Sequence, residues 1–337
     1  MQTLAQSEKL AAAPSLGSRF LRDAIGIAAI IVAGIAGYFL FPDNLALLTR
    51  VIAVGLLVLS IDLITGYCGV ATLGQAALFG AGAYAAGIAC VNGVTEPLTL
   101  ILIGAIAGAA AGLLMGTIML RAHGLAQLVL SIAIVQLFHE AANKASAYTG
   151  GSDGLAGLML SPLFGMFEFD LWGQTAYLFG LALLVVVFVV LKFVVASPFG
   201  MLCRGIKEDP VRIGAMGAFV FPVLLKMFVI SGAVAGMGGA LAAISTQVVG
   251  LDSVSFELSA NALVMLVLGG LGSLYGALIG TVIFMGFEHV VSAINPFHWM
   301  TMVGALLIAV VLALPGGLSS IADAILPSRG RTRGGKA

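Results

Sequence analysis

Apolar positions in this chain run on continuously, without the alternation of a half-buried strand or the one-sided stripe of a surface helix. Uninterrupted stretches fall near 24–42, 49–64, 74–91, 97–119, 125–140, 175–195, 224–247 and 300–314, and a longer one covers 257–290. The Gly-rich GGLGSLYG, Gly269 to Gly276, divides that longer run into 257–269 and 273–289. An α-helix needs roughly 20 residues to cross about 30 Å of hydrocarbon, and most of these runs approach that length. Lipid admits only helices or closed barrels, and barrel strands alternate apolar with polar residues. The pattern therefore predicts an all-α polytopic membrane protein with about ten transmembrane helices.

Composition agrees. Hydrophobic residues make up 61% of the chain and charged residues 9%, with a mean hydropathy of +1.14. A soluble domain carries about a quarter charged residues, so this chain must use lipid as solvent. Its 45 glycines suit helices packed through small residues, as in IGAIAGAAAGLLMG, Ile103 to Gly116.

Lys and Arg favour cytoplasmic loops and so set the orientation. Lys9, Arg19 and Arg22 precede the first helix, Arg121 follows the fourth, and Arg204, Lys207 and Arg212 follow the sixth. Arg329, Arg331, Arg333 and Lys336 follow the tenth. With both termini inside, all of these fall in the cytoplasm, while Arg50 and Lys144 run against the trend. The expected organisation is a cytoplasmic tail over 1–23 and a transmembrane bundle over 24–318. Within the bundle, an inner loop covers 197–222 and an outer segment 141–174, and a basic tail over 319–337 ends the chain. Each half carries a Gly-broken segment, consistent with inverted repeats.

Candidate chemistry is sparse. Net charge is zero, which removes the basic surface that nucleic acid requires. Cys68, Cys90 and Cys203 lack paired or metal-ligand spacing and read as small packing residues. His139–Glu140 and Glu288–His289 are adjacent pairs, which do not face each other on a helix. Asp62, in LLVLSIDLITG, is the clearest intramembrane charge. It reads as a functional site by default, or as a residue that reaches the inner surface or caps the Gly-rich segment after it. A P-loop needs G-x-x-x-x-G-K-[ST], but the one Gly-Lys pair, Gly335–Lys336, is followed only by Ala337. ATP-driven work would need a separate ATPase chain.

Against this background the charge density of CRGIKEDPVRIGAMG, Cys203 to Gly217, is unusual. Asp209 before Pro210 is a good helix start, a carboxylate N-cap followed by Pro at the first helical position. Glu208 adds favourable charge near that N-terminus, and Gly217 suits the C′ position. The spacing predicts a short capped helix over Pro210–Met216 at the inner surface, a shape suited to docking a cytoplasmic partner.

Five segments together resemble the permease subunits of branched-chain amino acid ABC importers, of the LivM-like branch. They are GYCGVATLGQAALFGAGAY (66–84), TGGSDGL (149–155), SPFGMLCRGIKEDPVRIGAMG (197–217), FVISGAVAGMGGAL (228–241) and VLGGLGSLYGALIG (267–280). The resemblance runs from about residue 49 to 320 and implies a type II-like importer permease in a bacterial cytoplasmic (inner) membrane. It also implies a second related permease chain, LivH-like, two cytoplasmic ATPase subunits that bind ATP and Mg2+, and a soluble substrate-binding protein. This chain would itself bind no cofactor. Arg204, Glu208, Asp209, Pro210, Arg212, Ala215, Met216 and Gly217 fall on the family's ATPase-coupling motif. The chain departs from the family pattern in AHGLAQLVLS after Arg121 and in LPGGL at Leu314–Leu318.

A path for a polar solute needs backbone or small polar groups where helices are interrupted. Asp62, Thr72, Gly74 and Gln75 qualify, with Ser131 and Gln136 in the fifth helix, and Asp153 offers a contact for the binding protein. The alternatives to an ABC permease are an ion-coupled secondary transporter and a passive channel for a small solute such as urea.

Overall fold

The computed structural model describes residues 16–158, 160–162 and 173–294, with Thr301, Met302, Gly304 and Ile308, and the backbone alone over 16–25. Each apolar run expected between 24 and 289 is helical. In chain order the helices are α1 (Leu16–Leu40), α2 (Leu45–Ile61), α3 (Gln75–Val91), α4 (Pro97–Met119) and α5 (Leu125–Lys144). They continue as α6 (Gln174–Ala196), α7 (Pro198–Glu208), α8 (Pro210–Ala215), α9 (Val220–Thr246), α10 (Phe256–Gly269) and α11 (Leu274–Ile294). Helix α1 reaches back to Leu16, into the stretch expected to be a tail. Most of the tenth expected run, all of 163–172 and the basic tail after 318 lie outside the described residues.

Among the described residues, six helical segments are long and apolar enough to cross a membrane: Pro42–Tyr67, Pro97–Met119, Leu125–Lys144, Gln174–Ala196, Val220–Thr246 and Leu274–Ile294. Three shorter apolar helices, Gly26–Leu40, Gln75–Val91 and Phe256–Gly269, accompany them among the described residues. The chain is a helical, multi-pass membrane protein.

Helix α9 is the hub, packing against α4, α3 and α2. Glycines set how close it comes. Gly104, Gly108 and Gly112 recur every four residues along one face of α4 and meet Gly232 and Gly236 of α9. A methyl group on Gly236 would sit 2.9 Å from Gly108 Cα, and one on Gly112 would sit 3.2 Å from Gly232 Cα. Backbone therefore touches backbone, the arrangement small residues permit in lipid. Leu56, Leu57, Met227, Phe228 and Leu241 fill the adjoining core and are buried. Helices α10 and α11 form a hairpin, with Gly269, Gly276 and Gly280 at the contact, so 257–290 is two helices joined at residues 270–273.

Two departures from regular helix shape one end of the bundle. After Ile61 the backbone widens into a π-helical turn, Asp62–Tyr67. Regular structure then lapses until α3 begins at Gln75. Gly69 has φ +74°, which reverses the chain at little steric cost. This turn, helices α7 and α8 and the 270–273 turn share what is called here the α7 end. At the opposite end a two-residue ribbon pairs β1 (Leu155–Ala156) antiparallel with β2 (Val248–Val249).

Candidate functional site

At the α7 end, helix α7 starts with Ser197, whose hydroxyl accepts from Gly200 N at 3.3 Å, followed by Pro198. Its inward face carries Gly200, Cys203 and Ile206, which are buried, while Arg204, Lys207 and Glu208 are exposed. Asp209 breaks the helix in an extended conformation and caps the next one, accepting from Val211 N and Arg212 N at 3.0 Å each. Helix α8 then runs Pro210–Ala215 and is closed by Met216 and by Gly217 at φ +90°. The sequence reading of this short capped helix matches. Glu208, directly ahead of the Asp209 cap, is also the last residue of α7. Ile213 anchors α8 back onto α7, lying against Gly205, where a methyl would sit 2.9 Å from Ile213 Cδ1.

The basic side chains of α7 reach the π-turn. Lys207 Nζ donates to Gly66 O at 2.6 Å, and the Arg204 guanidinium lies over the Tyr67 ring, 5.0 Å from its centroid. Cys68 and Cys203 are buried at the same junction, near enough for their thiols to act on one another. That proximity, with burial, pushes the Cys68 thiol well above the usual range, so it stays protonated.

Asp62 corrects two expectations. It neither reaches the surface nor caps the segment after it. Its side chain is fully buried, and Oδ1 accepts from Gly272 N at 2.7 Å, in the turn between α10 and α11. Gly66 and Gly272 make this approach possible. A methyl on Gly66 would sit 2.6 Å from Gly272 N, and one on Gly272 would sit 3.3 Å from Gly66 O. The two Gly-broken segments, one from each half of the chain, thus meet at Asp62. Its other oxygen, Oδ2, is buried without a hydrogen-bond partner among the described residues.

A second polar cluster surrounds the start of α3, and it gathers four of the residues expected to line a solute path. Only Gln75 of these is helical in α3. Thr72 and Gly74 precede the helix, and Thr72 Oγ1 accepts from Gly74 N at 3.0 Å. Ser131 of α5 accepts from Leu73 N at 3.0 Å, and Ser259 of α10 accepts from Ala76 N at 2.9 Å. These side chains satisfy N–H groups that a helix starting inside the bundle would otherwise leave bare. The Gln75 carboxamide lies 3.5 Å from Ser60 Oγ and 3.4 Å from Ser231 Oγ. Both hydroxyls also approach backbone carbonyls closely, Ser60 to Leu57 O at 2.6 Å and Ser231 to Ser60 O at 2.8 Å. Each has one proton to give, so the NH2 end of Gln75 suits their lone pairs better than its carbonyl end. In either orientation one end of this buried carboxamide lacks a partner among the described residues.

Gln136 does not join this cluster; it is exposed on α5. Asp153 is exposed at the opposite end of the protein from α8, with Ser152 Oγ donating to its Oδ1 at 3.3 Å. Lys207, Tyr67, Gly272, Ser60, Ser231 and Ser259 complete the two clusters although sequence reasoning did not select them for either. The signal for the serines is a lone hydroxyl within an apolar run, as in LLVLSID and FVISGAV.

Comparison with known proteins agrees with this architecture. A family model described as the branched-chain amino acid transport system permease component matches residues 44–311. The high-affinity branched-chain amino acid transport system permease protein LivM of Escherichia coli (strain K12) is 24% identical over 329 residues, covering 90% of this chain and 77% of that protein. LivM of Salmonella typhimurium (strain LT2) is 23% identical over 327 residues, with the same coverages. No solved structure matches.

Proposed function

The chain belongs to the permease-component family of branched-chain amino acid transport systems, and from that premise we propose that it is one permease subunit of an ATP-driven, binding-protein-dependent importer. It forms half of the translocation path for branched-chain amino acids or a related small polar solute. It crosses the bacterial inner membrane about ten times with both ends in the cytoplasm, in keeping with its basic residues. A second, LivH-like permease chain, two ATPase subunits that hold ATP and Mg2+, and a soluble binding protein complete the assembly. The chain itself is no enzyme and needs no cofactor.

The observation that carries the reading is α8. Val211, Met216 and Phe219 are 80%, 77% and 79% exposed beside Arg212. Apolar side chains displayed on a short capped helix and on the turn that follows it, next to a cation, suit the groove of a partner protein. Arg204, Glu208, Asp209, Pro210, Arg212, Ala215, Met216 and Gly217 make up this coupling element. ATP binding in the partner moves it as a lever and biases the bundle between two packings. Thr72, Gly74, Gln75 and Ser131 contribute to the solute path, and Asp153 to the surface that receives the binding protein.

The test is the Arg212→Glu chain coexpressed with the ATPase and second permease subunits of its importer. The ATPase should copurify with wild-type chain, while the variant inserts in the membrane but loses stimulated ATP hydrolysis. Ion-gradient-dependent uptake by the chain alone, or unchanged transport by a Glu208→Ala, Arg212→Glu double variant, would overturn the reading.

A further inference from the structure

The Asp62 carboxylate is fully buried, yet only one of its oxygens has a hydrogen-bond partner among the described residues. Such a group is costly to bury unless a cation can reach it. Two cations stand close enough to act on it electrostatically, Lys207 and Arg204, both on α7. Neither forms an ion pair with it. Lys207 spends its ammonium on Gly66 O, and Arg204 lies over Tyr67. Gly66 follows Asp62 by four residues, about one helical turn. The carbonyl that Lys207 occupies and the carboxylate it does not are therefore neighbouring seats on one face of the π-turn.

We propose that Asp62 is the second seat of Lys207, and that the exchange of Lys207 between Gly66 O and the Asp62 carboxylate transmits movement of the coupling element into the bundle. This rests on the importer reading for its purpose but not for its geometry. Lys207 is the moving part because an ammonium on a four-carbon stem can turn its donors to either acceptor. The rest of the junction is closely packed. Gly69 presses against the Lys207 stem, where a methyl would sit 2.7 Å from Cγ, and Ile206 and Cys203 are buried beneath α7. Asp62 already holds Gly272 N. A carboxylate drawn towards Lys207 shifts its bond to Gly272, so displacement of α7 reaches the turn joining α10 to α11. Asp62 and Lys207 act here as positioning residues and need not touch the solute.

The experiment reads the junction itself. Cys68 and Cys203 are buried where α7 meets the π-turn, so in a Cys90→Ala background their maleimide labelling reports how often that contact opens. Asp62→Asn keeps an oxygen for Gly272 N and removes the charge, so Lys207 stays on Gly66 O. Labelling of the purified chain should then slow by about threefold, while Lys207→Met should speed it by about tenfold and Lys207→Arg should change it little. In the assembled importer Asp62→Asn and Lys207→Met should each cut stimulated ATP hydrolysis by about tenfold, and the double variant no further, as expected for one shared interaction. Wild-type labelling in Asp62→Asn, or single losses that multiply in the double variant, would overturn the exchange. A wild-type assembly without any stimulated hydrolysis would instead sink the importer reading, and the labelling would still decide the exchange.

Discussion

The Asp62 carboxylate accepts the Gly272 N–H at 2.7 Å across 210 positions of sequence. It ties the end of α2 to the α10–α11 turn, and the glycines facing it set how closely the two segments approach.

Gly66→Ala should therefore harm the protein although Gly66 lies in a helical segment, where Ala is ordinarily favourable. The added methyl would meet the Asp62 carboxyl and come within 2.6 Å of the Gly272 backbone nitrogen, neither of which has room to yield. A destabilisation of about 1–3 kcal/mol is expected, read as a lower midpoint in detergent melting. Gly286→Ala is the control, since nothing lies within 4 Å of the added methyl; a drop there of equal size would refute the steric account.

On the α4–α9 seam, Gly108→Leu should prevent a well-packed bundle. Even a methyl there would lie 3.0 Å from Gly236 N, so a leucine must force the two helices apart. The expected result is loss of monodisperse protein on size-exclusion chromatography. A monodisperse variant with wild-type melting would show that the seam is looser than described.

Removing the α8 cap with Asp209→Ala costs about 1 kcal/mol of local helix stability, because Val211 N and Arg212 N lose their acceptor. Asp209→Asn retains an acceptor. Stimulated ATP hydrolysis should fall in the first variant and persist in the second. Equal loss in both would assign the role to the charge of Asp209 rather than to its capping.

The long helices were legible because each spans an apolar run, and the Asp-Pro start and Gly stop of α8 were legible because capping is local chemistry; α7, which carries Arg204, Lys207 and Glu208, fell in the stretch expected to be an inner loop. Asp62 shows where that reading ends. Its charge marked it as unusual, but its partner, Gly272, carries no side chain and so leaves no trace of pairing in the sequence. Lys207 was equally hidden, since its acceptor is the Gly66 backbone carbonyl. At the start of α3, Thr72, Gly74, Gln75 and Ser131 were found as polar residues beside a helix break. Ser60, Ser231 and Ser259 lie inside regular helices, where a hydroxyl can satisfy itself on the preceding turn, so a lone serine in an apolar run marks the position without naming its distant partner.

The glycine seam between α4 and α9 has a mechanical consequence. Side chains that separate two helices can change rotamer and absorb small displacements, but backbone against backbone has no such give. Helices α4 and α9 thus form a single splint, with α8 close to the first turn of α9. A push delivered at α8 should swing both rods together and carry α3, which lies against the same stripe through Gly82, along with them.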